Sequence, residues 1–226
     1  MTPRVFVLNG WAASEHAWDL CAFERDAVFS DIDHVGGRTA RAFDEAAEPV
    51  ILVGWSMGGS YALRLAAQNP QRVAGLVLVA ATPRMMKADG WTGMTERRLA
   101  ALEMGLRLTL GGGFFGIPKD KPNPYRTDSE ENLARGIAYL RETDLRAALE
   151  AKREAFKDLG VYIFQSERDG IVRRENADYL AGIFPRAHVQ IVPGAEHALP
   201  IFIPGALDAA VAALRASAGK PTQLKG

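Results

Sequence analysis

Residues 50–58 read Val50-Ile51-Leu52-Val53-Gly54-Trp55-Ser56-Met57-Gly58. The first four are apolar without a break, the mark of a strand buried on both faces. A helical pattern then starts at Met57 and runs to Gln68, where Asn69-Pro70 stops it. The pattern G-x-S-x-G at 54–58 falls at the join. On its own it is common; wedged between a buried strand and a helix, it reads as a sharp turn that lifts a serine hydroxyl clear of the backbone. Gly54 and Gly58 stand where a Cβ would make strand and helix collide, and Gly59 extends that tolerance into the helix. The helix N-terminus places the Met57 N–H and the helix dipole beside Ser56, where negative charge would collect on a substrate carbonyl oxygen. The competing reading is a packing turn with an incidental serine.

A serine hydroxyl is a poor nucleophile until a neighbouring base takes its proton, which calls for a histidine in a loop after a late strand. His197 meets that requirement, because it follows the strand expected at 188–192 and the turn Pro193-Gly194-Ala195-Glu196. His16, in the first helical segment, His34, ahead of the serine, and His188, inside a strand, read as surface or packing residues. The acid that orients the base belongs at the end of the preceding strand, expected at 161–165, and Ser166-Glu167-Arg168-Asp169-Gly170 follows directly. Asp169 is the choice, with Gly170 read as permitting the tight turn; Glu167 stays as the alternative acid. A second oxyanion donor is expected from the loop after the first strand, where Asn9-Gly10-Trp11 leaves the Trp11 backbone N–H available. The Trp11 indole can wall the site at the same time.

Outward from this centre, the first half alternates short apolar runs with helical patterns, as a parallel sheet flanked by helices does. Strands are expected at 5–8, 28–35, 50–53 and 73–80. Helices are expected after Ser14, with Trp18, Cys21 and Ala22 on one face, at 39–47 and at 57–68. From 84 to 153 the rhythm breaks into three helical segments, 95–108, 129–141 and 144–156, separated by Gly111-Gly112-Gly113 and a proline-rich loop at 118–124. Strands resume at 161–165 and 188–192 around a helix at 175–184, and a last helix spans 205–216. The expected organisation is a core of 1–83 and 154–216, a helical lid at 84–153 and a frayed tail at 217–226.

The chain has 226 residues, 48% apolar and 24% charged, which suits one domain with an insertion and excludes wholesale disorder. Lys plus Arg and Asp plus Glu are equal at 27, so no net field draws the molecule to nucleic acid or an anionic membrane. One cysteine, Cys21, offers neither an internal disulfide nor a zinc-ligand cluster, and no apolar run approaches the roughly 20 residues of a membrane span. A monomer in the reducing cytoplasm is expected, without metal or organic cofactor.

The insertion carries Met85, Met86, Met94 and Met104 near Trp91, Leu99, Leu102, Leu106 and Leu108. Adaptable methionines suit an apolar channel for a flexible acyl chain, with Trp11, Trp55, Met85 and Met94 as substrate contacts and Phe114 and Phe115 as a moving wall. The same residues also suit simple adhesion of helices to the core. Residues 84–153 hold 13 Lys or Arg against 10 Asp or Glu, a net +3. Arg97, Arg98, Arg107, Arg135, Arg141 and Arg146 would receive an acidic partner if they gather near the entrance, and otherwise form a solvated face.

These motifs carry a resemblance. The order Ser56, Asp169, His197 is that of the α/β-hydrolases, which the chain resembles throughout. Within that superfamily it is similar to the carboxylesterases that remove the methyl ester from pimeloyl-acyl-carrier protein in biotin synthesis. Asn9-Gly10-Trp11 followed by Trp18 stands where those have His-Gly-Trp; Gly54-Trp55-Ser56-Met57-Gly58-Gly59 is close to their Gly-Trp-Ser-Leu-Gly-Gly. Leu140-Arg141-Glu142-Thr143-Asp144-Leu145-Arg146 is similar to their segment at the end of the lid, and Asp169-Gly170-Ile171-Val172 and Glu196-His197-Ala198 agree as well. The resemblance implies a mostly parallel sheet of about six strands, a helical lid and a serine carboxylesterase acting on an acyl ester linked to an acidic acyl-carrier protein. Two departures stand out: Asn9 replaces a histidine, and the antiparallel hairpin that usually opens the fold has no counterpart in the sequence.

Three functional readings follow. The first is the pimeloyl-carrier methyl esterase. The second keeps the same triad for other chemistry, as in a carbon–carbon bond hydrolase or a menaquinone-pathway lyase. The third is a hydrolase-fold protein that binds a ligand without turning it over. A long apolar tunnel with a basic mouth favours the first, and a small closed pocket argues against it.

Overall fold

The apolar runs pair as one sheet in a computed structural model that describes residues 2–109, 117–126 and 129–218. Strands β1 (Val5–Leu8), β2 (Ala27–Phe29), β3 (Val50–Trp55), β4 (Val73–Val79), β5 (Val161–Ser166) and β6 (Ala187–Val192) lie in the order β2-β1-β3-β4-β5-β6. Every pairing is parallel. Among the described residues no antiparallel strand precedes β1. Strands β1 and β3 are buried at every position, as strands covered on both faces must be. The chain steps outward from β1 to β2 and returns across β1 to β3, so its winding direction reverses between β1 and β3. A crevice opens there at the carboxyl ends of the strands. Gly10 and Trp11 follow β1, Ser56 follows β3, Asp169 follows β5 and His197 follows β6, so all four loops converge at that end.

Helix α3 (Met57–Gln68) packs on β1, β3 and β4 and buries ten of its residues. Helix α7 (Glu175–Ile183) covers β5 and β6. Helix α8 (Pro204–Ala218) packs on β4, where Leu214 fills the space above Gly75.

Three expectations are corrected. The run 28–35 is not one strand: the chain leaves the sheet after Phe29 and forms α1 (Asp31–Val35) and then α2 (Arg38–Glu45). A capping box decides this, with Ser30 Oγ accepting from the Asp33 N–H at 3.3 Å and the Asp33 carboxylate accepting from the Ser30 N–H at 2.8 Å. The helix after Ser14 is a single 3₁₀ turn, Glu15–Trp18. It ends where the Trp18 indole donates to Asn9 Oδ1 at 2.6 Å and Arg25 caps the Trp18 carbonyl at 2.8 Å. Finally, α8 continues through Ser217 and Ala218; residues 219–226 lie outside the described residues.

The segment between β4 and β5 adds no strand to the sheet among the described residues. It carries α4 (Glu96–Thr109), α5 (Glu130–Glu142) and α6 (Arg146–Ala151), and a 3₁₀ turn at Arg153–Phe156 takes the place of a continuous third helix. No helix among the described residues is long and apolar enough to cross a membrane.

Candidate active site

Ser56 sits at φ 56° and ψ −117°, one of three non-glycine residues with positive φ among the described residues, beside Ala12 and Ala80. Such a conformation is strained and persists only where its surroundings fix it. Here the Ser56 N–H donates to the Val79 carbonyl at 2.9 Å, and the Ser56 carbonyl accepts from the Ser60 N–H at 3.0 Å. Two glycines make the turn sterically possible. A Cβ on Gly58 would lie 2.0 Å from the Leu8 carbonyl oxygen, and one on Gly54 would lie 2.6 Å from Gly58 O and Gly59 Cα.

The structure brings Ser56, His197 and Asp169 together. His197 Nε2 lies 2.9 Å from Ser56 Oγ, and Nδ1 lies 2.8 Å from Asp169 Oδ2. All three side chains are buried. Asp169 Oδ1 accepts from the Ile171 and Val172 N–H groups at 2.8 and 2.9 Å, and Oδ2 also accepts from Gln165 Nε2 at 3.2 Å. These bonds hold the carboxylate in place and aim it at the imidazole. Gly170 is not what allows the turn, contrary to expectation: its φ is not positive and a Cβ there meets nothing within 4 Å. The carboxylate of Asp169 itself gathers the two following N–H groups. Glu167 is exposed and points to no partner in this network. Of the other histidines, His16 is exposed and meets Asp19, and His188 is exposed and stacks on Tyr162.

The loop after β1 closes over the serine. A Cβ on Gly10 would lie 3.2 Å from Ser56 Cβ, so this loop passes close above the elbow. Among the described residues neither the Trp11 nor the Met57 backbone N–H donates to another protein group. The Trp11 indole turns to α5, donating to the Leu133 carbonyl at 3.1 Å and covering Gly136, where a Cβ would come within 2.3 Å of the ring. Asn9 does not face the site: its Oδ1 accepts from Trp18, and its carbonyl accepts from His34 Nε2 at 3.0 Å. His34 Nδ1 meets Thr39 Oγ1 at 2.9 Å. Burial pushes the His34 pKa down to about 4, which keeps the ring neutral and the Nε2–H donating.

Two voids share lining residues beside His197, and the inner one reaches Ser56. The inner one, about 20 Å³, is bounded by Trp11, Ser56, Met85, Tyr125, Leu140 and His197. The outer one, about 260 Å³, is bounded by Met94, Arg98, Ala101, Gly170 and Glu196. Leu102, Ile171 and His197 border both. A small, mostly apolar void thus lies beside a wider one whose lining includes one arginine and one glutamate. Trp11, Met85 and Met94 line these voids. Trp55 does not: it is buried behind His197 and donates from Nε1 to the His197 carbonyl at 2.9 Å. Phe114 and Phe115 lie outside the described residues. Leu102, expected in the apolar channel, borders both voids, whereas Tyr125, Leu140 and Ile171 went unrecognised in the sequence as pocket residues. The position of Ile171 two residues after Asp169 was the one signal that could have found it; Tyr125 carried no local cue.

The arginines do not gather at one entrance. Arg98 borders the outer void and donates to the Gly170 carbonyl at 2.9 Å, and Arg97 is exposed on the same helix. Arg141 pairs with Glu96 at 3.0 Å and Arg107 with Glu103 at 2.7 Å. Arg146 pairs with Asp144 at 2.8 Å and lies over the Trp91 ring. Together with Arg84 these bonds hold the Asp144 carboxyl well below the usual carboxylate range. Arg135 borders a separate groove with Arg64 and Tyr139. No cluster of three or more His, Cys, Asp or Glu side chains suited to a metal ion occurs among the described residues.

The sheet, the serine elbow at its switch point and the buried Ser–His–Asp geometry are those of a serine hydrolase. The sequence matches the profile of the alpha/beta hydrolase family over residues 7–213, and the chain belongs to that family. The pimeloyl-[acyl-carrier protein] methyl ester esterase of Salmonella typhi is 27% identical, over 95% of this chain and 94% of its own length. Two solved structures share the fold. An esterase from Exiguobacterium antarcticum superposes with a TM-score of 0.73 at 18% identity, over 95% of this chain and 92% of its own. A hydrolase from Pseudomonas aeruginosa gives 0.69 at 19% identity, over 94% and 89%.

Proposed function

We propose that the protein is a serine carboxylesterase whose substrate is the methyl ester of a pimeloyl group carried on an acyl-carrier protein. The observation that carries the catalytic part is the relay from Ser56 Oγ to His197 Nε2 at 2.9 Å and from Nδ1 to Asp169 at 2.8 Å. With Nδ1–H donated to Asp169, Nε2 is left as the acceptor for the serine proton. His197 takes that proton as Oγ attacks the ester carbonyl. The oxyanion is received by the Trp11 and Met57 N–H groups, each such donor contributing on the order of 10²–10³ in rate. His197 then protonates the departing alkoxide, and the alcohol leaves an acyl-Ser56. Water gives a proton to His197 and attacks the acyl carbonyl; collapse returns the proton to Ser56 and frees the acid.

The size of the inner void supports the finer assignment. A void of about 20 Å³ holds roughly one water-sized group, which suits a methoxy leaving group better than a bulkier alkoxide. The acyl chain then runs out past Leu102 and Met94 to Arg98, with residues 84–153 acting as a lid on a core of 1–83 and 154–216. Arg97 and Arg98 would meet the acidic carrier first. The 27% identity to a pimeloyl-carrier methyl ester esterase across nearly the whole chain points the same way. The test is methanol release from methyl pimeloyl-carrier protein by the purified enzyme, together with biotin-independent growth of a strain lacking its own esterase. Both are expected; an enzyme active on p-nitrophenyl acetate that does neither has a different natural ester.

A further inference from the structure

An oxyanion hole works only if its donors are fixed before the reaction, and the Trp11 donor lies on a loop of backbone that needs a support. That support begins at Asp31, the first residue of α1, whose side chain has no exposed surface. Its Oδ2 accepts from the Ala12 N–H at 2.9 Å, and its Oδ1 accepts from Arg126 Nη2 at 2.7 Å. Ala12 has φ 52°, a conformation alanine adopts only under constraint. Fixing the Ala12 N–H fixes the peptide that follows Trp11, and so the rotation of the residue that bears the donor. Arg126 binds the same loop from the other side. Its Nη1 donates to the Ala13 carbonyl at 2.6 Å and its backbone N–H to the Ala12 carbonyl at 2.9 Å, while Ser14 N–H donates to the Pro124 carbonyl at 2.8 Å. Between Pro124 and Arg126 stands Tyr125, which lines the inner void with Ser56.

We propose that Asp31 is a positioning residue for the oxyanion loop, and that its ion pair with Arg126 latches that loop to the segment carrying Tyr125. One carboxylate thereby sets both the Trp11 donor and one wall of the pocket. The proposal rests on the Ser56–His197–Asp169 reading. An ion pair that merely stabilised the fold would change the melting temperature and leave the kinetics of the folded enzyme alone; a positioning residue acts in the transition state.

The test compares Asp31→Ala and Arg126→Met with wild type on p-nitrophenyl acetate, and measures inhibition by a trifluoromethyl ketone that mimics the tetrahedral state. In folded Asp31→Ala, kcat is expected to fall on the order of 30-fold with KM within about threefold, and the ketone to bind weaker in parallel. Arg126→Met is expected to lose about tenfold in kcat by the same split, and it alone decides if Asp31→Ala does not fold. Wild-type-like kcat and ketone affinity in the folded variants, or a loss confined to KM, overturns the latch. A wild type no more active than Ser56→Ala overturns the triad reading, and the latch with it.

Discussion

Trp55 Nε1 donates to the main-chain carbonyl of His197 at 2.9 Å, so the residue before Ser56 holds the loop that carries His197. The two rings lie 5.8 Å apart at 41°, and Trp55 is fully buried. The indole therefore belongs to the support of the relay. The same carbonyl also accepts from the Leu199 N–H at 2.9 Å, so the loop keeps one anchor when the indole is lost. Trp55→Phe is expected to cost about 1 kcal/mol of stability and to lower kcat about tenfold with little change in KM. Urea unfolding and steady-state kinetics on p-nitrophenyl acetate measure the two effects.

Steric need differs sharply between glycines of this chain. At Gly58 a Cβ would sit 2.0 Å from the Leu8 carbonyl oxygen, and neither strand nor helix can withdraw without opening the elbow. Gly58→Ala is expected to cost more than about 3 kcal/mol and to yield little folded protein. At Gly182, inside α7, a Cβ meets nothing within 4 Å, and Gly182→Ala is expected to gain about 0.5 kcal/mol. Folded yield and urea midpoints distinguish the two outcomes.

His34 makes stability depend on pH. Its pKa is about 4 in the fold, against an ordinary value of 6.5. Between those values the unfolded chain binds a proton that the folded chain refuses, so stability is full above pH 6.5 and is lost as pH falls toward 4. The loss amounts to roughly 3 kcal/mol. Replacing the imidazole in His34→Gln is expected to flatten this part of the profile; urea midpoints of wild type and variant at pH 7 and pH 4.5 supply the comparison.

Burial pushes the Cys21 thiol up to about 12, with Asp208 adding to the effect. Almost no thiolate exists at pH 8, so the folded protein is expected to resist a disulfide reagent such as dithionitrobenzoate. Unfolding in urea should then release one thiol equivalent per chain. Rapid reaction of the native protein contradicts this environment.

The catalytic end of the molecule was legible where local rules and tertiary packing agree. Helix α3 begins and ends where Gly-x-Ser-x-Gly and Asn69-Pro70 place it, and Ser56, Asp169 and His197 meet beyond the strand ends where the chain order puts them. The run 28–35 misled because Val28, Phe29, Ile32 and Val35 suggest a strand, although Ser30-x-x-Asp33 already spelled a capping box. The place of Asp169 beside His197 was legible for a reason that did not hold, since its own carboxylate, and no freedom of Gly170, shapes the turn. Trp55 and Asp31 were not legible in their contacts. Each works through a partner far along the chain, His197 at 142 residues and Arg126 at 95, and no local pattern encodes such a meeting.

The central claim is that Ser56 is a nucleophile activated by His197. Intact-mass measurement after treatment with a fluorophosphonate tests it most directly. One adduct per chain is expected, mapped to the peptide containing Ser56, absent in Ser56→Ala and slowed by at least about 10³ in His197→Ala. A wild-type protein that stays unlabelled, or a label that forms equally fast without the imidazole, contradicts the account.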